Sequence, residues 1–496
     1  MIRTATLLVF ALFAHSLQAK DPYFDFSPSA KSVYRNTISL RFADAQRGLQ
    51  TMKNKEQDNL MLPFVENYLD FLTVFVDDDE AAYKRLSKNM APRLAKIAKG
   101  DPKSPYYLYT QAEIRLQWAI LGGRFGDMLA SLSDIKQAYA LLEENQRRFP
   151  DFMPNKKSLG VMHALVGAIP DEYKWSIKAL GGMTGSVSQG LAELESVLAH
   201  ARSNPDFVFA EETYVFYAYL QLYLNERDDK AWQTLQSKQL DYKTNPLLTY
   251  AIASLAMRIG KNDKAVTLLE SCPSGGVYHP FPYRLYLLGV AKLQRLDTDA
   301  NKPIERFLSE FKGKNAVKEA YQKLAWYHLV NNDIKGYQRN IGYVKSKGTN
   351  RSEPDKAAMR EAESGIVPDV RLMKARLLFD GGYYQRAYDF LQPLASAYAK
   401  DARLQLEHTY RLGRITHEMG RNAEAAKLYQ ETIDKGANQP WYFACNAALQ
   451  MGQMYEKEGD KTKARGAYER CLGINPPDYA AGLHASAKAG LQRVKG

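Results

Sequence analysis

The stretch from Ala448 to Pro476, ALQMGQMYEKEGDKTKARGAYERCLGINP, restricts the fold more than any other part of the 496-residue sequence. Bulky, small and aromatic residues recur in it at helical spacing: Met451, Gly452 and Tyr455 on one helix, Gly459 at a turn, Ala464, Tyr468 and Cys471 on a second helix, and Pro476 at the close. Two short helices approach closely only where small side chains such as Gly452 and Ala464 meet, while Tyr455 and Tyr468 fill the wedge beside them. One such hairpin cannot bury its apolar faces alone, so neighbours must stack on it. The stretch predicts an all-α array of stacked hairpins that binds something, and it leaves the ligand unnamed.

Weaker copies run upstream. Ala375, Gly382, Ala387 and Leu391 form one, and Leu412-Gly413, Gly420, Ala425 and Tyr429 another; Ile252, Ala253, Gly260, Ala265 and Leu269 repeat the pattern further back. Tyr214, Tyr217 and Leu224 precede Ala231 and Leu235, and Leu288-Gly289 and Leu324-Ala325 open two degenerate copies. The pattern resembles the tetratricopeptide repeat (TPR), which implies an all-α, TPR-like helical-hairpin solenoid, a right-handed superhelix with degenerate N-terminal repeats. Small residues at 375, 413 and 452 are spaced 38 and 39 apart, against a repeat period of ~34, so helices or connections such as KGANQPWYF run long. The expected plan is a signal peptide over 1–19, an irregular helical region over 20–212, degenerate repeats over 213–360, well-formed repeats over 361–478, and a capping helix over 479–496.

The N-terminus carries Arg3, an apolar run from Leu7 to Leu17, and Leu17-Gln18-Ala19, the pattern of a secretory signal cleaved after Ala19. No cysteine follows it to take a lipid, so the expected location is the Gram-negative periplasm, or outside the cell, with attachment peripheral to the outer membrane one option. Three cysteines, Cys272, Cys445 and Cys471, exclude a disulfide framework and a Cys-based zinc cluster. Cys445 and Cys471 fall at one end of one hairpin, where a bridge and two buried free thiols are the alternatives. A net charge of +12 favours anionic partners, and the absence of a basic stripe or groove-reading motif argues against nucleic acid.

Helical periodicity is expected from Val33 through Leu49 and from Asn59 to Val76, then over Tyr106–Ala119 and Leu129–Phe149. The acidic run Asp77-Asp78-Asp79-Glu80 lacks the spacing and Gly of a calcium loop and is read as helix capping. PDEYKW, an apolar turn, Gly181-Gly182 with Gly185, and a QGLAEL helix resemble the middle of a eukaryotic TPR family that includes inclusion-body clearance proteins, which implies a helical scaffold with an unusual hairpin. The Pro/Gly-rich connections over 271–283 and 346–356 are either idle loops or variations of the binding surface.

No phosphate loop, dinucleotide fingerprint, HExxH, or GxSxG occurs, and the eight histidines lack ligand spacing, so no catalytic residue, metal or cofactor is assigned. Glu195-Ser196, Glu270-Ser271 and Glu363-Ser364 supply the dipeptide of lytic transglycosylases without a lysozyme-like domain around it. Resemblance to TPR proteins implies that the first helix of each hairpin lines a concave face, which places Arg376, Tyr410, Arg411, Arg414, Asn446 and Gln453 in the groove. Guanidinium forks there suit a carboxylate, so the expected partner is a protein bringing an acidic segment or C-terminus, with envelope assembly or maintenance as the setting. The alternative is a glycan-binding protein resembling SusD, with Tyr278, Phe281, Tyr283 and Trp441 as sugar platforms.

Overall fold

The computed structural model describes residues 21–169, 182–224, 228–237 and 240–495. The expected signal peptide, PDEYKW and Gly181 lie outside them. Helices α1 (Pro28–Ile38), α2 (Phe42–Lys55) and α3 (Met61–Asp77) lead through short α4 (Glu80–Leu86) and α5 (Met90–Ile97) to the long pair α6 (Pro105–Phe125) and α7 (Met128–Arg148). Next come α8 (Met153–Gly167), α9 (Val187–Ser203), α10 (Ala210–Leu224), α11 (Asp228–Leu235), α12 (Pro246–Arg258), α13 (Asn262–Glu270), α14 (Tyr283–Arg295) and α15 (Asn301–Glu310). The pair α16 (Val317–Val330) and α17 (Ile334–Ser346) is followed by an interposed helix, α18 (Glu353–Ser364). Three hairpins then finish the array: α19 (Val370–Asp380) with α20 (Tyr384–Leu391), α21 (Ala402–Glu418) with α22 (Asn422–Gly436), and α23 (Phe443–Lys457) with α24 (Lys461–Leu472), under α25 (Ala480–Val494). Each helix packs chiefly on its sequence neighbours, the mark of a helical-hairpin solenoid. Among the described residues strand pairing is limited to one isolated bridge, Tyr23 to Asn59.

The small residues do what their spacing requires. A Cβ on Gly452 would lie 2.6 Å from the Tyr468 ring, and Gly490 of α25 approaches the same ring from its other side, so Tyr468 is held between α23 and the capping helix. Turn chemistry is equally regular: the chain leaves the first helix of a hairpin through the left-handed region at Gly260, Gly382, Gly420 and Gly459, with φ from 73° to 81°. The degenerate hairpins keep this turn without glycine, at Leu296 (φ 66°) and Asn332 (φ 60°).

Three expectations need correcting. The periodic run from Val33 to Leu49 is two helices, broken where Leu40 takes φ 58° between α1 and α2. Capping describes Asp79, whose carboxylate accepts from the Ala81 amide at 2.8 Å, but not its neighbours. Asp78 accepts from the Asn315 amide and side chain, each at 3.1 Å, and pairs with Arg124 at 2.5 Å; Asp77 meets His279 at 2.7 Å, and Glu80 meets Arg351 at 3.0 Å. The acidic run is thus a clasp between the first helices and the middle of the array. The 271–283 connection is not idle either: His279 stacks on Phe42 and donates its amide to the Leu40 carbonyl at 2.7 Å, while Phe281 is buried.

The N-terminal core also buries charge that the sequence did not announce. Lys157, 2% exposed, sits 2.8 Å from Glu212 and 3.4 Å from Glu113, with the Tyr68 hydroxyl 3.2 Å from Glu113. Burial pulls the ammonium down in pKa, and the two carboxylates more than offset it, so Lys157 titrates above its ordinary value.

Candidate functional site

Helices α19, α21 and α23 are the first helices of the last three hairpins, and side chains one turn apart on each face the same concavity. In each, a small residue marks the face that packs on the partner helix: Ala375, Gly413 and Gly452. The residue after it occupies one column of the repeat register, filled by Arg376, Arg414 and Gln453. The preceding hairpin extends the column with Trp326, after Ala325 on α16.

Arg376, Tyr410, Arg411, Arg414 and Asn446 line one cavity of about 200 Å³, with Phe379, Asp380 and Tyr442 completing its wall. Gln453 does not join them. It lies two helical turns beyond Asn446, ~10 Å along α23, and is half-buried. The Tyr410 ring is buried against Phe443, 5.5 Å between centroids, which fixes its hydroxyl at the cavity.

The three guanidiniums are held differently. Arg411 is committed to Glu407 one turn back, with its Nε at 2.9 Å. Burial lowers its pKa and the Glu407 charge more than restores it, so it is a fixed cation. Arg376 approaches Asp380 at 3.8 Å and lies over the Trp326 ring, 4.5 Å from its centroid. Arg414 donates to the Tyr410 hydroxyl at 3.2 Å and covers the Phe379 ring at 4.9 Å. No carboxylate among the described residues lies within ion-pair distance of it, and its Nε is buried without a hydrogen-bond partner. Lys323 adds a further cation, its Nζ 3.8 Å from the centroid of the Trp326 ring; burial pulls its pKa below the ordinary value, opposed by Glu319 and reinforced by Arg376. Burial lowers the Arg414 pKa, but Tyr410, Tyr429 and the more distant Glu418 raise it more, so it stays charged. The cavity is therefore cationic, with aromatic walls and one guanidinium that has no carboxylate within ion-pair distance.

Helix α18 shows what this face accepts. Ser352 caps its start, and Asp355, buried, takes the amides of Ala316 and Glu319 at 2.8 and 3.0 Å, capping α16 from outside. Two turns later Glu361 accepts from Gln322 at 2.6 Å and from the Trp326 indole at 2.7 Å. An acidic helical segment of the chain itself thus lies on α16, its carboxylates at positions 355 and 361 taking donors of the first helix. Its Arg360 reaches Tyr479, 5.5 Å from that ring, beside the last hairpin. Sequence reading passed over Lys323, Trp326 and Glu361. Lys323 and Trp326 flank Leu324-Ala325 as Arg411 and Arg414 flank Leu412-Gly413, so repeat register alone points to them.

The aromatic residues of the glycan alternative are mostly spent on packing. Phe281 is buried 5.1 Å from Tyr250, and the Tyr283 hydroxyl accepts from Arg124 at 2.7 Å. Among the described residues no group of three or more His, Cys, Asp or Glu is placed to hold a metal, and no helix is long and apolar enough to cross a membrane.

Comparison with known proteins agrees with the hairpin geometry at the C-terminal end. Residues 446–478, which form α23 and α24, match the family model described as Tetratricopeptide repeat. No curated protein matches the sequence. Similar solved structures include a tetratricopeptide repeat protein from Parabacteroides merdae ATCC 43184, 12% identical over 64% of this chain and 96% of that one. Another is the TPR domain of P58(IPK), 15% identical over 83% of this chain and 97% of that one. Both superpose at a TM-score of 0.20, too low to carry weight beside the repeat match and the packing itself. Residues 446–478 thus carry a tetratricopeptide repeat, and the stacked helical hairpins that lead up to it make the chain a helical-hairpin solenoid.

Proposed function

We propose that this protein is a non-enzymatic scaffold of the cell envelope that binds a protein partner along the concave face of its C-terminal hairpins, through an acidic segment or C-terminus of that partner. TPR arrays are protein-interaction scaffolds, because curvature aligns many modest contacts along one groove. The observation that carries the acidic reading is Arg414, a guanidinium in a cavity shared with Arg376 and Arg411 that has no carboxylate within ion-pair distance. An incoming carboxylate would meet a half-buried guanidinium whose Nε has no hydrogen-bond partner, in a geometry made for two parallel hydrogen bonds. The acidic helix α18, seated on the neighbouring first helix, supports the same chemistry. Export to the periplasm rests on the N-terminal residues alone, and fits a basic surface of net charge +12 facing anionic neighbours. A crosslinking pull-down from the envelope fraction tests the proposal, run beside an Arg376→Glu, Arg414→Glu variant that keeps its helical circular dichroism. A protein enriched by the wild type and lost by the variant upholds it; identical recovery by both refutes it.

A further inference from the structure

The α23–α24 hairpin sets two thiols against each other. Cys445, one residue before Asn446 on α23, and Cys471, in the last turn of α24, are fully buried with their Sγ atoms 3.5 Å apart. A disulfide bond is about 2.05 Å long, so joining them asks for about 1.5 Å of approach. Their spacing of 26 residues spans one complete hairpin, with both sulfurs at the same end. Cys272 has no such neighbour; its Sγ faces the Pro246 carbonyl at 3.8 Å. The pair is also chemically unequal. The Cys471 thiol hydrogen-bonds to Cys445 and, despite burial and with help from His484, draws the Cys445 thiol below its ordinary pKa, while Cys471 is raised. Cys445 is the attacking sulfur of such a pair.

We infer that Cys445 and Cys471 close to an intramolecular disulfide when the protein meets a thiol oxidant of the small-disulfide class. The Cys445 thiolate attacks one sulfur of the oxidant, breaking its S–S bond and releasing one thiolate, which takes up the proton Cys445 gave up. Cys471 then attacks the Cys445 sulfur of this mixed disulfide, its proton passing to the second thiolate as that group leaves. The protein dithiol is oxidised by two electrons and the oxidant is reduced to two thiols. Both sulfurs lie beneath α25, Cys471 Sγ being 3.9 Å from the Leu483 carbonyl, so closure occurs before α25 docks or through its local opening. The bond ties the helix bearing Asn446 to its partner and limits the freedom of the unfolded hairpin. It does not depend on what the groove binds.

The test uses the full chain, reduced and unfolded, then refolded in a buffer of reduced and oxidised glutathione, quenched in acid, alkylated in denaturant and mapped by peptide mass. The expected product is a Cys445–Cys471 linked peptide about 2 Da lighter than its two free-thiol halves together, with Cys272 alkylated. Its Tm exceeds that of the same protein kept in reduced glutathione, and Cys445→Ala, folded by circular dichroism, shows no such difference. Alkylation of both Cys445 and Cys471 under oxidising conditions overturns the inference, as does a bond that includes Cys272 or a Tm gain that survives in Cys445→Ala.

Discussion

The Arg376 guanidinium lies over the Trp326 ring, 4.5 Å from its centroid, and so joins two hairpins that α18 separates in sequence. Lys323 occupies the same ring at 3.8 Å, and Glu361 accepts from its indole nitrogen. Trp326 is the point where the acidic helix, the cationic column and the next hairpin meet. A double-mutant cycle with Arg376→Met and Trp326→Leu, read by chemical denaturation, is expected to give a coupling of about 1 kcal/mol, the size of a partly desolvated cation–π pair.

The left-handed turns predict stabilities of opposite sign. Asn332 is exposed at φ 60°, so Asn332→Gly removes a backbone penalty at no cost in packing and is expected to leave stability unchanged or raise it, by less than about 1 kcal/mol. Gly459 has φ 81°, and Gly459→Ala is expected to cost about 1–2 kcal/mol. Urea denaturation midpoints of the two variants measure both.

Lys157, buried, lies between the carboxylates of Glu113, which is buried, and Glu212, which is partly exposed. Lys157→Met keeps the length of the side chain and strands the buried Glu113 carboxylate beside the partly exposed Glu212, so a loss of about 3 kcal/mol is expected in the same assay. A neutral result would show that the carboxylates reach solvent.

Histidines give the two ends opposite responses to acid. Burial lowers the pKa of His408, whose ring meets the Leu391 carbonyl at 3.0 Å, and of His417, with Arg414 adding repulsion. Their stabilising effect is full above about pH 6.5, the unfolded value, and is lost as pH falls through the lower folded value. His163 is the reverse: burial lowers it, but Glu193 and Glu143 raise it more, so its effect is full below about pH 6.5 and is lost as pH rises through the folded value. Hydrogen exchange, corrected for intrinsic rates, is expected to show α21 and α22 less protected at pH 5.5 than at 7.5, and α8 and α9 more protected.

What the sequence made legible follows from which constraints are local. The hairpins of the C-terminal third could be read because close helix approach demands small residues, and Gly413 against Tyr429 and Gly452 against Tyr468 are such contacts. The groove residues followed from repeat register, and the cavity brings five of the six together. Gln453 shares the register position of Arg414 yet does not line the cavity, which α23 enters through Asn446 instead. The clasp at Asp77 and Asp78 was illegible because its partners His279 and Asn315 lie more than 200 positions away and belong to no repeat. Helix α18 starts inside a Pro-containing stretch that reads as a loop, and Pro354 in its first turn is a helix-start residue as well as a turn residue.

A peptide selection against the purified protein tests the groove most directly. Random peptides displayed on phage are panned on the wild type and, in parallel, on an Arg376→Glu, Arg411→Glu, Arg414→Glu variant of unchanged circular dichroism. The account predicts that wild-type selections enrich Asp, Glu or a free C-terminal carboxylate, with binding that weakens as salt rises and vanishes on the variant. Enrichment without acidic residues, or the same peptides recovered on both proteins, would contradict it.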